Sequence, residues 1–395
     1  MRFLSLIPLL TLVGCWSATN ADRTSEWSAL KDVGRVSCQD WPVPPTDMSS
    51  DELITFPHTE PAMVSVGRTR NGQNKNYYMA PGKTFEPDAD DLKSVNFGLQ
   101  ALIAGGQQQG GKSVLVLLTH KPDGPSKIEV REMPSNVIRF ESPALAARAA
   151  AGRALVTDKG VWLAVKFVSG DTATDDLPAK VFYATKGAGG KLALKEFPEV
   201  AAGNHWPTFL HQKNGDTLIL THLTANKGQF FITKVAANGV ASKRESLQVA
   251  VASGVESWAA SNAGDRSYLA YVDDDSLVDQ ANLKIARIRW YDLLPSVIWL
   301  KSRSLTDEHV SEPVWMVTPA SAILLLPKWI DEESTLASYR VSADDIGSMQ
   351  VSGIFPKGTR AMSGFTDEEG EKYYAVMRQK GKIGWRFQVC KLKDL

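Results

Sequence analysis

Three short segments place aromatic and ionisable residues side by side in a similar local pattern. They are His205-Trp206-Pro207, Glu256-Ser257-Trp258 and Glu312-Pro313-Val314-Trp315. Indole rings can stack on the faces of a sugar, while carboxylate and imidazole groups can hydrogen-bond to its hydroxyls. A repeated tryptophan can equally be a packing wedge between structural units, so both roles stay open. The candidate ligand-binding residues are therefore His205, Trp206, Trp258 and Trp315.

Two of these segments also carry the carboxylates Glu256 and Glu312. A pair of carboxylates could hydrolyse a glycosidic bond, with one acting as general acid and the other as base or nucleophile. Retaining chemistry requires the two carboxyl groups about 5 Å apart, and inverting chemistry requires about 6.5 to 9.5 Å. The separation of Glu256 and Glu312 therefore decides whether they can be catalytic.

A run of acidic residues contains the best candidate for a metal site. Calcium prefers oxygen ligands from closely spaced carboxylates, and Asp273, Asp275 and Asp279 offer them in one short segment. The segment lacks the glycine and the final glutamate of an EF-hand loop, so solvated loop charge is the competing interpretation. The six histidines show no zinc-ligand spacing. The sequence therefore predicts no cofactor, with a calcium ion as the alternative.

The composition excludes several classes of function. The 395 residues include 44 Lys or Arg and 44 Asp or Glu, so the formal net charge is zero. A nucleic-acid-binding domain would need a basic excess, so no nucleic-acid partner is expected. The sequence contains no Gly-x-Ser-x-Gly motif, no P-loop and no Gly-x-Gly-x-x-Gly fingerprint. Serine hydrolase, nucleotide and dinucleotide chemistry therefore lack their usual sequence support.

Short, β-rich apolar runs separated by compact Asn, Gly or Asp turns recur along the chain in the same order. Each pair of runs has the strand composition and turn chemistry of a β-hairpin. Most pairs are followed by a second, weaker pair, so that one unit is close in length to a four-stranded propeller blade. We call the first pair of runs in each unit its leading hairpin. Seven leading hairpins are predicted, at 62–66 with 77–80, 97–103 with 113–118, 154–157 with 161–168, 208–211 with 217–222, 258–260 with 268–272, 314–317 with 323–326, and 362–365 with 373–377.

A four-stranded unit repeated in this way is typical of a β-propeller, a ring of sheets around a central channel. We predict an all-β fold of seven four-stranded blades, with six as an alternative because the first unit is the least regular. The alanine-rich stretch 143–151 could add a short helix. Two β-sandwich domains are the competing architecture, but they give no reason for a single repeating interval. In a propeller, the three segments described above would converge near the mouth of the channel.

The N-terminus has the pattern of an export signal. Arg2 precedes an apolar run that ends in Leu12-Val13-Gly14-Cys15 and is too short to span a bilayer as a permanent helix. These four residues resemble the lipobox of bacterial lipoproteins. The resemblance implies that residues 1–14 are removed and that Cys15 is acylated, which anchors the protein to a membrane. Since no Asp follows Cys15, it further implies the outer membrane; an ordinary secretory signal is the alternative. Residues 15–33 would then form the lipidated cysteine and a flexible tether.

Two further cysteines, Cys38 and Cys390, would lie in an oxidising compartment after export. We predict that they form a disulfide, with two unpaired buried thiols as the alternative. The first ordered segment, 34–40, would pair as a strand beside 385–392 and bring the two cysteines together. Residues 34–395 are therefore predicted to form a single propeller domain whose ends meet, which removes exposed sheet edges.

The third and fourth repeat units resemble two known kinds of propeller. The apolar run 161–168 and the segment Lys180-Val181-Phe182-Tyr183-Ala184, followed by a glycine-rich turn, are similar to blades of sialidase-type propellers. This resemblance covers only these units and implies a carbohydrate-active propeller. The Asp-box turn of that superfamily, Ser-x-Asp-x-Gly-x-x-Trp, is absent. Outer-membrane lipoproteins with quinoprotein-like propellers are similar in length and location, but their recurrent Ala-Leu-Asp-x-x-Thr-Gly segments are also absent.

Two functions follow from these patterns, and the sequence leaves the oligomeric state and the side of the outer membrane undecided. We expect a membrane-anchored, extracytoplasmic binding module whose partner is a glycan or an envelope protein. The alternative is a glycoside hydrolase, sialidase-like or other, that uses Glu256 and Glu312. Repeat scaffolds host binding readily and no specific catalytic motif is present, which favours the binding module.

Overall fold

The computed structural model describes the chain in a series of ranges, and within them every regular element is a β-strand or a short 3-10 turn. No helix in this part of the chain is long and apolar enough to cross a membrane. The described residues are 31–32, 37–40, 48–54, 64–69, 74–79, 92–95, 97, 101–109, 112–121, 124–133, 135–200, 203, 205–223, 229–249, 254–263, 266–275, 280–291, 294–305, 309–310, 312–317, 322–330, 333–341, 350–356, 359–366, 372–380 and 385–392.

The described strands form seven sheets, numbered here in chain order, and sheets 1 to 5 each contain four consecutive antiparallel strands. Two short N-terminal strands, β1 (Lys31–Asp32) and β2 (Ser37–Asp40), join sheets 6 and 7. Sheet 1 contains β3 (Met48–Ile54), β4 (Val64–Thr69), β5 (Asn74–Met79) and β6 (Leu92–Val95). Sheet 2 contains β7 (Ala101–Gln109), β8 (Lys112–Thr119), β9 (Lys127–Met133) and β10 (Val137–Ala144).

Sheets 3, 4 and 5 repeat this plan. Sheet 3 contains β11 (Ala149–Val156), β12 (Gly160–Phe167), β13 (Ala179–Lys186) and β14 (Leu192–Glu196). Sheet 4 contains β15 (Thr208–His211), β16 (Thr217–Leu223), β17 (Gln229–Val235) and β18 (Glu245–Leu247). Sheet 5 contains β19 (Gly254–Ala263), β20 (Arg266–Asp275), β21 (Gln280–Tyr291) and β22 (Leu294–Ser304).

The last two sheets combine strands from both ends of the chain. In sheet 6 the outermost strand is β1, which pairs in parallel with β27. The other strands of sheet 6 are β23 (His309–Val310), β24 (Val314–Val317), β25 (Ala322–Ile330), β26 (Glu333–Val341) and β27 (Gln350–Pro356). Sheet 7 contains β28 (Arg360–Thr366), β29 (Tyr373–Lys380) and β30 (Trp385–Leu392), and β2 completes it on the outer side.

The middle strands of sheets 2 to 7 are buried on both faces. Along β12, Val161, Leu163 and Val165 pack against sheet 2, while Trp162 and Ala164 pack against residues of sheet 4. Side chains alternate between the two faces of a strand, so an uninterrupted apolar run must be covered from both sides. Sheet 3 is therefore held between sheets 2 and 4, unlike a sheet in a sandwich, which has one solvent-facing side.

The same packing continues through the remaining sheets in chain order. Leu220 and Phe230 of sheet 4 share a cluster with Leu269 and Tyr271 of sheet 5. A second cluster joins sheet 5 to sheet 6, and a third joins sheet 6 to sheet 7. The all-β prediction is thus confirmed, and the stacking of successive four-stranded sheets is propeller-like.

The first strands of successive sheets approach each other closely. A Cβ on Gly105 of β7 would lie 2.5 Å from the carbonyl oxygen of Ala154 in β11, so this position excludes any side chain. A Cβ on Gly364 of β28 would lie 2.8 Å from the Cβ of Met316 in β24. Close contact between first strands is what an arrangement around a central axis requires, because the sheets are nearest to one another there.

The structure differs from the sequence predictions at two places. The stretch 143–151 is not helical, because Ser126 binds it through backbone hydrogen bonds to Leu145 and Ala147 and through its hydroxyl to the Ala149 amide. The first predicted hairpin, 62–66 with 77–80, corresponds to the second and third strands of sheet 1, since β3 precedes it. The other six leading hairpins lie where the turn chemistry predicts them.

Cys38 and Cys390 form a disulfide across β2 and β30, where they are directly opposite each other. This pairing and the pairing of the N-terminal strand with the last strand confirm the sequence prediction. The bond joins residues 352 positions apart, so it removes much conformational freedom from the unfolded chain.

We expect the double variant Cys38→Ala/Cys390→Ala to lose about 2 to 5 kcal/mol of unfolding free energy, because its unfolded chain is no longer closed into a loop. Thermal and denaturant unfolding of both proteins, with and without a reductant, would measure the loss. Reductant should lower the melting temperature of the native chain and leave that of the variant unchanged. Equal melting of the two proteins under oxidising conditions would contradict the stabilising role of the bond.

Candidate functional site

One edge of the stacked sheets gathers the residues of interest. In each sheet the first strand begins where the second strand ends, because the two are antiparallel. We call this end of the strands the upper edge of each sheet; the term does not refer to the outermost strand. The segments leading into β15 and β24 place His205, Trp206 and Glu312 there, and the ends of β12 and β16 add Lys166 and His222.

Trp206, at the upper edge of sheet 4, packs across onto sheet 3. Its indole lies against the small side chains Ala164 and Ala179. The Nζ of Lys166 lies 4.9 Å from the indole centroid, and the guanidinium carbon of Arg153 lies 5.2 Å from it. Both distances are within the range of cation–π attraction. Trp206 therefore holds two cations of sheet 3 in defined positions.

Lys166 is a nearly fully buried lysine, with 1% of its surface exposed. Its ammonium donates a hydrogen bond to the carbonyl oxygen of Thr174 at 3.1 Å in addition to its contact with Trp206. A charge removed from water needs such partners to remain charged. Lys166 thus holds its side-chain nitrogen in a defined position at the upper edge of sheet 3.

Two histidines meet at the upper edge of sheet 4, where the ring centroids of His205 and His222 are 5.3 Å apart. His222 is buried, and its ring centroid lies 4.9 Å from that of Phe230 and 6.2 Å from that of Trp258. Burial lowers the pKa of His205, and the charge of Lys166 lowers it further. His205 is therefore a neutral imidazole at pH 7, with one ring nitrogen that donates and one that accepts a hydrogen bond.

The other two predicted tryptophans occupy different environments. Trp258 is partly buried beside sheet 4, with its ring centroid 5.3 Å from that of Phe230 in an edge-to-face contact. Trp315 is only 4% exposed, and its Nε1 donates a hydrogen bond to the carbonyl oxygen of Ala259 at 3.0 Å. Trp315 thus joins sheets 5 and 6 as a packing wedge, while Trp206 and Trp258 retain accessible surface.

The structure adds two arginines at the upper edge of sheet 7 that the sequence patterns do not single out. Arg360 on β28 and Arg378 on β29 lie directly opposite each other. Like charges in opposite positions destabilise a sheet. Burial lowers the pKa of Arg378 and Arg360 lowers it further, whereas the carboxylate of Glu312 raises it. Glu312, an exposed residue of the neighbouring sheet, therefore partly compensates this arginine pair.

The charge of Glu312 also affects the pKa of Arg153 in sheet 3. Burial lowers the pKa of Arg153, and the carboxylate of Glu312 opposes this effect. Arg153 nevertheless keeps exposed surface. Arg153 belongs to sheet 3 and Glu312 precedes β24 of sheet 6, so this electrostatic effect acts between residues that are far apart in the chain.

The proposed catalytic pair is only partly described. Glu312 is exposed at the upper edge, immediately before the buried Pro313. Glu256 lies in β19, on the strand that begins at the same edge of sheet 5, and its side chain is outside the described residues. The catalytic role of Glu256 and Glu312 therefore stays a prediction.

The acidic segment proposed for calcium begins inside a strand, because β20 extends to Asp275. Asp273 is fully buried and accepts a hydrogen bond from the ammonium of Lys284. Burial, followed by the charge of Asp273, raises the pKa of Tyr271. The Asp275 side chain and all of Asp279 lie outside the described residues, among which no group of three metal ligands occurs. A calcium ion at Asp273 would have to compete with Lys284.

Comparisons with known proteins find similar folds at low sequence identity. No protein-family model matches the chain, and no curated protein matches it. Polysaccharide lyase Uly1 is 10% identical, with 88% of this chain and 99% of that chain covered and a TM-score of 0.38. The N11 neuraminidase-like protein of A/flat-faced bat/Peru/033/2010 (H18N11) is 9% identical, with coverages of 82% and 93% and a TM-score of 0.41. Prolyl oligopeptidase B from Galerina marginata is 10% identical, with coverages of 84% and 48% and a TM-score of 0.49.

We expect His205 to titrate below its ordinary value of 6.5, and Lys166→Gln to move the midpoint upward because one of the two effects that lower it is removed. NMR titration of the imidazole resonances would measure both midpoints. Because the folded pKa is the lower one, the contribution of His205 to stability is present above pH 6.5 and is lost as the pH falls below it.

Lys195→Gln is the matched control for this titration. The ammonium of Lys195 also lies over an aromatic ring, that of Phe197 at 4.7 Å, and also donates to a backbone carbonyl, that of Gly239. It is an exposed residue on the outer strand of sheet 3. An equal shift of the His205 midpoint in both variants would show that Lys166 exerts no specific effect.

Proposed function

We propose that the chain is a lipid-anchored, extracytoplasmic propeller that binds a glycan at the upper edges of its sheets. The observation that carries this proposal is the arrangement around Trp206, where a half-buried indole, the neutral imidazole of His205 and the cationic side chains of Arg153 and Lys166 lie together. Indole faces bind sugar rings, and a group that both donates and accepts hydrogen bonds suits hydroxyls. An envelope protein is the other partner that the sequence leaves open.

The ring that this function requires is part of the proposal. Sheets 2 to 7 pack in chain order through continuous apolar clusters. We propose that sheet 1 fills the remaining place between sheets 7 and 2 and so makes a closed propeller of seven blades. The position of β2 in sheet 7 supports this, because it brings the beginning of the chain next to its end.

Membrane attachment is proposed from the lipobox alone. Acylation of Cys15 after removal of residues 1–14 would give the chain an anchor, and the absence of Asp after this cysteine favours the outer membrane. The polar tether predicted for residues 15–33 would separate the propeller from the lipid surface and leave the upper edges accessible.

Glycoside hydrolysis is the second candidate function. The exposed carboxylate of Glu312 at the upper edge is the observation in its favour. Binding is preferred because the described groups near Glu312 are guanidinium groups, which hold a ligand without chemical change. Product formation from a bound glycan, abolished in both Glu256→Gln and Glu312→Gln, would decide for the hydrolase.

We expect Cys15→Ser to abolish acylation and release the protein from membranes, because the hydroxyl cannot replace the thiol as the lipid acceptor. Labelling with a palmitate analogue, followed by membrane fractionation, would detect both changes. Cys38→Ser is the control, since it removes a thiol that is already in a disulfide. Unchanged labelling of Cys15→Ser would show that the N-terminus is an ordinary secretory signal.

On a glycan array we expect the native chain to bind, and Trp206→Ala and Trp258→Ala to lower the affinity for the bound glycan about fivefold, because each loses a stacking surface worth roughly 1 kcal/mol. Phe140→Ala is the matched control: this aromatic ring also carries a nearby cation, Lys186 at 5.8 Å, but lies on the outer strand of sheet 2. Binding of no glycan by a folded chain would reject the glycan and favour an envelope protein as the partner.

A further inference from the structure

Two of the candidate tryptophans lie on opposite sides of sheet 4. Trp206 rests on Ala164 and Ala179, so its indole occupies the upper end of the interface between sheets 3 and 4. Trp258 shares an apolar cluster with Leu220 of sheet 4, so its indole occupies the interface between sheets 4 and 5. Both tryptophans are half-buried and therefore keep some surface in contact with solvent.

Two histidines connect these indoles across the upper edge of sheet 4. His205 directly precedes Trp206 in the chain, and its ring centroid lies 5.3 Å from that of His222. The ring centroid of His222 in turn lies 6.2 Å from that of Trp258. We call Trp206, His205, His222 and Trp258 the aromatic row. Its two ends are indoles, and its middle consists of imidazoles.

The spacing within the aromatic row decides how a sugar can use it. Packed sheets lie about 10 Å apart, and stacked rings interact at centroid separations of about 4.5 to 7 Å. One sugar ring could face both indoles only by lying between them, where the imidazoles already are. Each indole is therefore available to a different sugar. Between the two, the neutral imidazole of His205 can donate a hydrogen bond to one hydroxyl and accept one from another.

We propose that the aromatic row binds a chain of linked sugars, with one sugar stacked on Trp206, another on Trp258, and the connecting stretch over His205. This inference rests on the proposed glycan-binding function. It specifies the ligand as an oligosaccharide or a segment of a polysaccharide, and not a single sugar. Stacking and hydrogen bonds to hydroxyls carry the contact, so uncharged glycans are suitable probes.

The experiment measures binding of glycans of increasing length to the native chain by isothermal titration calorimetry. The probes are cello-, malto- and laminari-oligosaccharides of glucose and chito-oligosaccharides of N-acetylglucosamine, each from the single sugar to the hexamer. In at least one series we expect the hexamer to bind about twentyfold more tightly than the single sugar, because it gains a second stacking contact and hydrogen bonds to His205. Six equivalent sugars competing for one position would give only about sixfold by number alone.

Two tryptophan variants and their combination then locate the ends of the bound chain. We expect Trp206→Ala and Trp258→Ala each to weaken hexamer binding about fivefold, and the double variant to weaken it about twenty-five-fold, because contacts at separate positions add. Phe140→Ala is the matched control, since this half-buried ring lies on the outer strand β10. Thermal unfolding of each variant confirms that it is folded.

The outcomes separate this inference from the proposed function. An advantage of the hexamer of about sixfold or less overturns the inference and retains a glycan-binding propeller. A folded double variant that binds the hexamer no more weakly than the weaker single variant also overturns it, as does an equal loss in Phe140→Ala. Binding of none of the probes counts against the proposed function and this inference together. A length dependence in one series only supports the inference and identifies the linkage that the aromatic row accepts.

Discussion

The burial of both faces of each middle strand is the constraint on which the architecture depends. A strand such as β12, with apolar residues at the five consecutive positions from Val161 to Val165, cannot leave either face in water without exposing a large apolar surface. Each sheet therefore needs a neighbour on both sides. Stacking in chain order gives sheets 3 to 6 a neighbour on both sides. It also brings the first strands together, as the close approach of Gly105 to Ala154 shows. The upper edges become neighbours only because the apolar faces are paired in this way.

Much of the fold could be predicted because its signals are local. The Asn214-Gly215 turn is read directly from the sequence, and Gly215 has the positive φ of 89° that such turns favour. The pairing of β2 with β30 followed from two cysteines at opposite ends of the chain. The stretch 143–151 was predicted wrongly because alanine favours helices, whereas its hydrogen-bond partners at Ser126 and in β12 are visible only in three dimensions.

The candidate site was predictable to a smaller extent. His205 and Trp206 stood out because aromatic and ionisable residues are adjacent in the sequence. The arginines did not, since the opposition of Arg360 and Arg378 depends on the register of two strands, and the influence of Glu312 on Arg153 depends on the packing of several sheets. The burial of Trp315 was undetermined for the same reason: sequence spacing does not distinguish a wedge between sheets from an exposed platform.

The distribution of unfavourable charge placements links the fold to its proposed role. Two buried or half-buried ion pairs follow the ordinary rule that opposite charges meet, namely Arg131 with Glu129 and Asp273 with Lys284. Lys166, by contrast, is paired with a carbonyl and an indole, and Arg378 lies opposite another arginine. Departures from the ordinary packing rules of proteins are expected at functional sites. Both placements lie at the upper edges, and Lys166 contacts Trp206, one of the candidate ligand-binding residues, so the costly positions of the fold coincide with the part of it to which we assign binding.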